Sequence, residues 1–517
     1  MRTHAVVARR CRRAVPALVP LAWLALALCG GPGCGSASSA RVEPDAGDGD
    51  AGGTGSDAGP QPIRLSCEEA NGARLRRVVR QHGDGSSEFV RLHDTDFAET
   101  CSYAVAADGV LRCLPAVDGA PFADGAIRYT DDLCTAAIGQ LTAPVVGDLP
   151  GYMRELVPPA DACAGLVPHF YQLADRLVIA PDTIIFQKVG DVCTGVAAPV
   201  TDFFSVAAEL PASTFVEGTE SFTDSGRLQQ PQVDGADGSR VCNTAGPLRD
   251  RDLSDHPCSL EQSEDASLRC LPEDVGPTSV FSDDLCAAPI EVALVDETCN
   301  ADAAYATDPA GAACQLRRRV RELGGPLAAP VFELVADVCT AAAADPVAHG
   351  IGASVSPFSF AELTARTDAP AGGGRLDRVD LVTDDGLRMF GSRWLDSELD
   401  QACTFRLAAD GTQRCLPQDS PLELVAHSIS VFTDAACTAT AVVGDRDPSC
   451  AAGDPKFVLE AIAGGRTRVD EAGGALPGPF FEFDAAAVCI EITGRVFYGL
   501  GDEVLAQTFV GGTEMVE

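Results

Sequence analysis

The sequence predicts an all-β fold made of three tandem repeats of about 150 residues each. Two observations lead to this prediction. A cysteine-containing block recurs three times along the chain, and the segments between its Gly, Asp and Pro residues are short and alternate apolar with polar side chains. Helical periodicity is nearly absent, so strands are expected almost throughout.

Four markers define the repeat, and they occur in the same order in each copy. The sharpest is the motif RCLP, which begins at Arg112, Arg269 and Arg414. The other three are an Arg-Leu pair, a Val-Cys pair and a phenylalanine: Arg74-Leu75, Arg227-Leu228 and Arg375-Leu376; Cys193, Cys339 and Cys489; Phe215, Phe360 and Phe509. Because a period of about 150 residues exceeds solenoid and single-blade units, each copy is a small domain or two fused supersecondary units.

These markers place the copies at residues 63–224, 225–374 and 375–517. The third copy shows its strands most clearly, because RLDRVDLV and LRMFGSRW flank a hairpin turn at Asp385-Gly386. The segments SISVFTD, KFVLEAI and VLAQTFV are also expected as strands. The basic segment CQLRRRVREL of the second copy is predicted as a strand, because its counterpart in the third copy reads as a hairpin.

About eight to ten short strands per copy allow two arrangements of the fold. Two four-stranded sheets per copy would give six sheets, the number in a six-bladed β-propeller, and we expect this ring-like arrangement. The alternative is a string of three separate β-sandwich or barrel modules.

The first residues of the chain predict export. Residues 1–28 combine arginines with a short apolar run and carry no acidic residue, which is the pattern of an export signal. The run continues into LALALCGGPGC, which is similar to the lipid-attachment motif of bacterial lipoproteins, so Cys29 or Cys34 is the expected lipid anchor. Ordinary secretion is the alternative. Residues 29–62 are rich in Gly, Asp and Ala, and a disordered tether is expected there.

The cysteines that follow the signal predict structural disulfides, because an exported chain meets oxidising conditions. They are Cys67, Cys101, Cys113, Cys134, Cys163, Cys193, Cys242, Cys258, Cys270, Cys286, Cys299, Cys314, Cys339, Cys403, Cys415, Cys437, Cys450 and Cys489. Their pairing stays open: the RCLP cysteine can bridge its own hairpin or reach the next cysteine along the chain. No zinc or other metal site is expected, since Cys-x2-Cys and nearby His ligands are absent from this part of the sequence.

The charge of the chain limits its partners. The formal net charge is −37, which repels nucleic acids and anionic membranes, so no nucleic acid is expected and membrane contact is expected only through the lipid. The sequence contains no nucleophile elbow, phosphate-binding loop or paired metal-ligand histidines, and neither a cofactor nor a catalytic residue is predicted.

One repeated set of acidic residues is a candidate ligand-binding face. Asp131, Asp283 and Asp434 each precede the third cysteine of the repeated block. A repeated aspartate at the corner after a strand usually accepts backbone hydrogen bonds, and a ring of carboxylates facing a common ligand is the functional alternative.

The order of these motifs, behind a lipoprotein-like signal and an Asp/Gly-rich tether, resembles uncharacterised cysteine-containing repeat lipoproteins of myxobacterial type, from residue 74 to 517. The resemblance implies export and repeat architecture, and no activity is known for the family. We therefore expect an envelope protein, in the outer membrane or facing the periplasm, that offers a binding or scaffolding surface to a protein or glycan. The alternatives are an extracytoplasmic hydrolase with a site at a central pore, and a purely structural envelope protein.

Overall fold

The computed structural model describes residues 65–517 with short gaps. The gaps are 117–121, 143–148, 160–162, 164, 191, 225, 243–246, 273–274, 297, 301, 311–316, 329, 336–337, 343–345, 369–373, 419–424, 447–453 and 484–487. The predicted signal and tether, the two candidate lipid anchors Cys29 and Cys34, and also Cys314 and Cys450, lie outside the described residues.

The first copy contains a closed barrel. Its elements are β1 (Leu75–His82), β2 (Ser87–Asp94), β3 (Glu99–Val105), β4 (Leu111–Pro115), β5 (Phe122–Tyr129), β6 (Ala137–Leu141), β7 (Tyr152–Val157), β8 (Val167–Leu177), β9 (Ile184–Val189), β10 (Val192–Ala197), β11 (Phe203–Glu209), the 3-10 helix η1 (Ala212–Thr214) and β12 (Gly218–Phe222). Strands β5, β6, β11, β8 and β7 pair in that order, and β7 pairs back with β5 in parallel. The β9–β10 hairpin joins this barrel at β5, and we call it a side hairpin.

The second copy repeats this plan. Its elements are β13 (Leu228–Gln229), β14 (Pro231–Gly235), β15 (Arg240–Cys242), β16 (Leu248–Asp250), η2 (Arg251–Leu253), β17 (His256–Ser263), β18 (Leu268–Pro272), β19 (Pro277–Phe281), β20 (Pro289–Val295), β21 (Tyr305–Ala310), β22 (Arg317–Pro326), β23 (Phe332–Val335), β24 (Val338–Ala341), β25 (Val347–Ser354), η3 (Pro357–Ser359) and β26 (Glu362–Asp368). Strands β19, β20, β25, β22 and β21 form the second barrel, which a parallel bridge between Val275 and Ala306 closes. Its side hairpin is β23–β24.

The third copy forms the third barrel. Its elements are β27 (Leu376–Val382), β28 (Arg388–Asp396), β29 (Gln401–Leu407), β30 (Gln413–Pro417), β31 (Val425–Phe432), β32 (Thr440–Arg446), β33 (Phe457–Ile462), β34 (Arg466–Ala475), β35 (Phe481–Phe483), β36 (Cys489–Glu491), β37 (Val496–Glu503), η4 (Ala506–Thr508) and β38 (Gly511–Val516). Strands β31, β32, β37, β34 and β33 close this barrel, and β35–β36 is its side hairpin.

Most of the remaining strands form one antiparallel sheet, which we call the shared sheet, and β12, β14 and β15 form a separate three-stranded sheet. Its strands pair in the order β1 to β4 in the first copy, β13, β16, β17 and β18 in the second, and β27 to β30 in the third. The last strand of each copy then pairs with the first strands of the next: β12 with β14, and β26 with β27. Finally β38 pairs with both β30 and β1, so the pairings between the three copies close into a ring.

These pairings confirm the all-β fold but do not confirm the six-bladed arrangement. Each copy contributes a barrel and a sector of the shared sheet, where two four-stranded sheets were expected. The string of separate modules does not describe the structure either, because hydrogen-bonded strands cross every boundary between copies. Such pairings between copies leave no local pattern in the sequence, whereas the alternation within each hairpin does.

The phenylalanine marker of each copy fills the space between the shared sheet and the barrel. Phe215 packs with Leu114 of the sheet and with Phe122 and Phe170 of the barrel. Phe360 and Phe509 occupy the same position in the second and third copies. The segment VLAQTFV is therefore not one strand, as the sequence predicted: it bends through η4, and β38 begins only at Gly511. This bend allows Phe509 to enter the core.

Eight disulfides cross-link the described chain, and they fit an oxidising, extracytoplasmic environment. The pairs are Cys67–Cys242, Cys101–Cys113, Cys134–Cys193, Cys163–Cys299, Cys258–Cys270, Cys286–Cys339, Cys403–Cys415 and Cys437–Cys489. Each RCLP cysteine thus bridges its own hairpin, which was one of the two pairings left open by the sequence. Among the residues that the structure describes, no helix has the length and apolarity needed to cross a bilayer.

Candidate binding surface

The arginine of each Arg-Leu pair binds a buried aspartate of its own copy. Arg74 donates two hydrogen bonds of 2.7 Å to the carboxylate of Asp94, which is almost fully buried. The equivalent pairs are Arg227–Asp250 and Arg375–Asp396. A bidentate pair satisfies both the guanidinium and the carboxylate. These repeated charges therefore belong to the framework of the fold.

An aspartate in the first hairpin turn of each copy ties that copy to another. Asp237 of the second copy accepts the backbone N–H groups of Arg74 and Leu75 in the first, at 3.0 and 2.6 Å. Burial opposes ionisation of this carboxyl, but the N–H donors outweigh it and hold the pKa of Asp237 below its usual value. The other two connections are equivalent: Asp385 to the N–H of Arg227, and Asp84 to the N–H of Leu376.

The arginine of each RCLP motif joins its hairpin turn to the phenylalanine marker. Arg112 donates to the carboxylate of Asp108 at 2.9 Å and to the backbone carbonyl of Phe215 at 3.0 Å. The equivalent contacts are Arg269 with Asp265 and Phe360, and Arg414 with Asp410 and Phe509. The turn aspartates thus bind arginines of the framework. In the described ranges, no group of three or more His, Cys, Asp or Glu side chains is arranged to hold a metal ion.

Asp131, Asp283 and Asp434 lie at the strand corner of three different barrels, after β5, β19 and β31. Backbone N–H groups surround each carboxylate: Asp131 accepts those of Thr135 at 2.9 Å and Ala136 at 2.5 Å. The N–H of Thr135, followed by that of Ala136, lowers the pKa of Asp131 although the side chain is exposed. The three carboxylates thus hold the corner that carries the bonded cysteine. A common ligand for them stays a prediction.

Polar residues that do not repeat converge where β38 closes the shared sheet on β1. Arg80 pairs with Glu88 and, at 2.8 Å, with Glu514. The fully buried ring of His82 stacks on Phe405, with 4.2 Å between the ring centroids. These side chains are buried or partly buried and bind one another, so they stabilise the closure of the sheet.

The β35–β36 side hairpin borders a shallow cavity of about 460 Å³ in the third copy. Its lining includes Leu476, Pro479, Phe480, Glu491, Ile492 and Arg495. The guanidinium of Arg495 is paired with Asp445 at 2.6 Å. The exposed surface of this lining is more polar than apolar, so the cavity does not by itself favour an apolar partner.

The side hairpins present apolar side chains to solvent. At the tip of β9–β10, Val189 lies opposite Val192, which is 63% exposed. At the tip of β23–β24, Val335 lies opposite Val338, which is 59% exposed. Other exposed apolar residues of the side hairpins are Ile184, Leu334, Phe483, Val488 and Ile490. Because this apolar exposure recurs at equivalent positions, the side hairpins are the candidate contact surface.

A disulfide holds each side hairpin against its barrel. Cys193 of β10 is bonded to Cys134 at the corner after β5, and Cys339 and Cys489 make the equivalent bonds. The neighbouring Leu133 and Leu285 add to the apolar surface, since they are 77% and 80% exposed. The hairpins are thus fixed to their barrels and carry exposed apolar side chains.

The outer strand of the first side hairpin also carries unpaired backbone groups. In the described part of the chain, β10 pairs only with β9. The N–H of Ala198 donates to the carbonyl of Thr183 at 2.8 Å, so these two residues form a hydrogen-bonded pair. Along an antiparallel pair of strands, such pairs alternate with pairs that make no backbone hydrogen bonds to each other. Cys193, Gly195 and Ala197 therefore direct their N–H and C=O groups away from β9, towards solvent.

The Val-Cys pair, which defines the repeat, also lies at the tip of these hairpins and is a sequence signal for this surface. The segments VGDVC (Val189–Cys193) and VADVC (Val335–Cys339) share a valine on each side of a two-residue turn. Two valines that flank a short turn place apolar side chains at a hairpin tip, which makes the tip a candidate contact surface.

Comparison with known proteins gives a family but no activity. A family model described as "Family of unknown function (DUF7481)" matches residues 59–509. No curated protein and no solved structure matches the chain.

Proposed function

We propose that this chain, which belongs to the family of unknown function DUF7481, is an extracytoplasmic binding protein whose side hairpins contact a partner protein. The observation that carries the proposal is the repeated exposure of valine pairs at the hairpin tips. A protein partner fits this surface better than a glycan does, because exposed apolar side chains of this kind form the centre of protein interfaces.

The way in which the hairpins are held supports a binding role. Each hairpin is fixed by a disulfide to a closed barrel, so little conformational entropy remains to be lost when a partner binds. Three copies also offer similar surfaces on one chain, which raises the avidity for a partner with several matching segments.

We also propose that the protein is exported and held at the cell envelope by a lipid on Cys29 or Cys34. The support is the signal-like start of the sequence together with the disulfides, which need an oxidising compartment. Metabolic labelling with a palmitate analogue tests this. Label that survives Cys29→Ala and disappears in Cys34→Ala identifies Cys34, the reverse identifies Cys29, and label-free wild type contradicts the anchor.

The binding proposal is tested with a display library of random peptides about twelve residues long, panned against the full chain. Peptides enriched on the wild type are expected to bind V192D/V338D at least about tenfold more weakly, because a charge replaces an apolar contact at each tip. The matched control is V178D/V200D, which adds the same charges at exposed valines outside the strands of the side hairpin.

Two results would contradict the binding proposal. Equal affinity of the peptides for wild type and V192D/V338D would show that the hairpin tips are not the contact surface. Binding to a glycan array without any peptide enrichment would replace the protein partner by a glycan.

A further inference from the structure

We propose that the outer edges of β10 and β24 bind extended polypeptide segments as an added β-strand. This inference rests on the proposed binding function and specifies how the partner is held. Strand addition uses the backbone of an exposed sheet edge for affinity and the side chains beside it for specificity. Both requirements are met at these two edges.

The second side hairpin repeats the backbone arrangement of the first. The N–H of Ala342 donates to the carbonyl of Val331 at 2.8 Å, and β24 pairs only with β23 among the described residues. By the same alternation, Cys339 and Ala341 direct their N–H and C=O groups outwards. Two edges of the molecule therefore present rows of backbone donors and acceptors.

These edges lack the features that normally keep sheet edges from pairing. Exposed edge strands usually carry charged residues, proline or a bulge. Strand β10 reads VCTGVA and β24 reads VCTA, with no charge and no proline, in a chain whose charged residues make up 22%. Strand β36 differs, because its short sequence CIE includes Glu491. The outer strand of the third side hairpin thus carries a charge that opposes strand addition, which the outer strands of the other two lack.

The charge of the protein decides between the possible occupants. A second copy would bring together two chains of net charge −37, which opposes self-pairing. Exposed carboxylates lie beside the edges, including Asp132 and Asp284 at the disulfide corners and Glu333 on β23. The occupant that fits is a segment of another protein with apolar residues at alternate positions and Lys or Arg at its ends.

The bound segment gains a template that is already formed. The disulfides Cys134–Cys193 and Cys286–Cys339 fix both outer strands through a cysteine whose own backbone faces the free edge. A peptide adding to this edge orders only itself, which lowers the entropic cost of binding. Reduction of these disulfides is therefore expected to weaken peptide binding.

The experiment uses peptides enriched on the full chain and their backbone N-methylated forms. Methylation of the alternate amides that face β10 or β24 is expected to lower affinity about tenfold or more for each amide, while methylation of the other amides leaves it nearly unchanged. In the protein, Ala197→Pro and Ala341→Pro remove an outward N–H from β10 and β24 and are expected to lower affinity. Ala197→Val, which keeps the N–H, is the matched control.

The outcomes separate this inference from the proposed function. If both methylation patterns reduce affinity equally, or if the proline variants bind as wild type does, strand addition is wrong, while loss of binding in V192D/V338D still supports a hairpin surface. If V192D/V338D also binds normally, both proposals fail. Sedimentation that shows a dimer lost in Ala341→Pro would assign the edge to a second copy and overturn the inference. Because N-methylation is tested on the wild-type chain, a proline variant that unfolds does not remove the test.

Discussion

The shared sheet and the side hairpins both recur in every copy, but their recurring residues have opposite surroundings. In the shared sheet, Arg74 and Asp94 bind each other and Phe215 is buried in the core. In the side hairpins, Val192 and Val338 remain exposed on strands with a free edge. Repetition alone therefore does not identify a functional residue. A repeated residue is a functional candidate where the fold leaves it without a partner.

The largest expected effect is at the phenylalanine marker. Phe360→Ala is expected to lower the free energy of unfolding by about 3–5 kcal/mol, because the ring is buried against Leu271 and Val320. Phe358→Ala is the control two residues earlier, where the ring is 79% exposed, and we expect a change below about 1 kcal/mol. Urea unfolding followed by circular dichroism measures both. Equal losses would mean that burial does not distinguish the two positions.

The second test compares two disulfides of the same copy. Replacing Cys286 and Cys339 by Ala is expected to cost roughly 2–4 kcal/mol and to loosen mainly the β23–β24 hairpin. Replacing Cys258 and Cys270, which are fully buried, is expected to loosen β17 and β18 of the shared sheet. Hydrogen exchange measured by mass spectrometry locates the change. Faster exchange throughout the chain in the first variant would contradict an independent side hairpin.

The third test concerns the connections between copies and depends on pH. Because the pKa of Asp237 is lowered in the folded state, its stabilisation is present above the unfolded pKa of about 3.9 and is lost as pH falls through the folded pKa. Asp237→Ala is expected to cost about 1–3 kcal/mol at neutral pH, since two N–H groups lose their acceptor. Asp237→Asn is expected to flatten the dependence of unfolding on pH below about 4.

The control for this test is Asp224→Asn, because the carboxylate of Asp224 is almost fully exposed. It is expected to leave both the stability and its pH dependence close to those of the wild type. Guanidinium unfolding at a series of pH values compares the variants. An unchanged curve for Asp237→Asn would show that this aspartate does not connect the copies.

The smallest effect is expected at the hairpin tips. Val338→Thr keeps the β-branched shape of an exposed side chain, so the free energy of unfolding is expected to change by less than about 0.5 kcal/mol. Its affinity for enriched peptides is nevertheless expected to fall, because the contact is apolar. A thermal melt and a binding titration on the same sample test the prediction. A clear drop in melting temperature would instead place Val338 in the framework.

Local patterns in the sequence predicted the local structure well. The hairpin around Asp385-Gly386 is present as β27 and β28, and the basic segment predicted as a strand forms β22. Two arginines of that segment, Arg319 and Arg321, pair with Glu264 and Glu291. Comparison between copies succeeded here because equivalent segments adopt the same backbone conformation even where their secondary-structure propensities differ.

The arrangement of the sheets could not be predicted, because it depends on contacts far apart in sequence. Arg80 and Glu514, which meet where the shared sheet closes, are separated by 434 positions. Alternation within a strand shows that one face is buried but not which strand lies beside it. For the same reason the Val-Cys marker was visible in the sequence, while the exposure of Val192 and the free edge of β10 were not.

The pairing of β38 with β1 has a consequence for the order of assembly. Strand β38 follows every other described strand in the chain, so its pairing with β1 joins segments that are far apart in sequence and is expected to form late in folding. A chain cut short before Gly511 would present β1 and β30 as two open edges. Such a product would be prone to aggregation and degradation, because both open edges can pair with other chains.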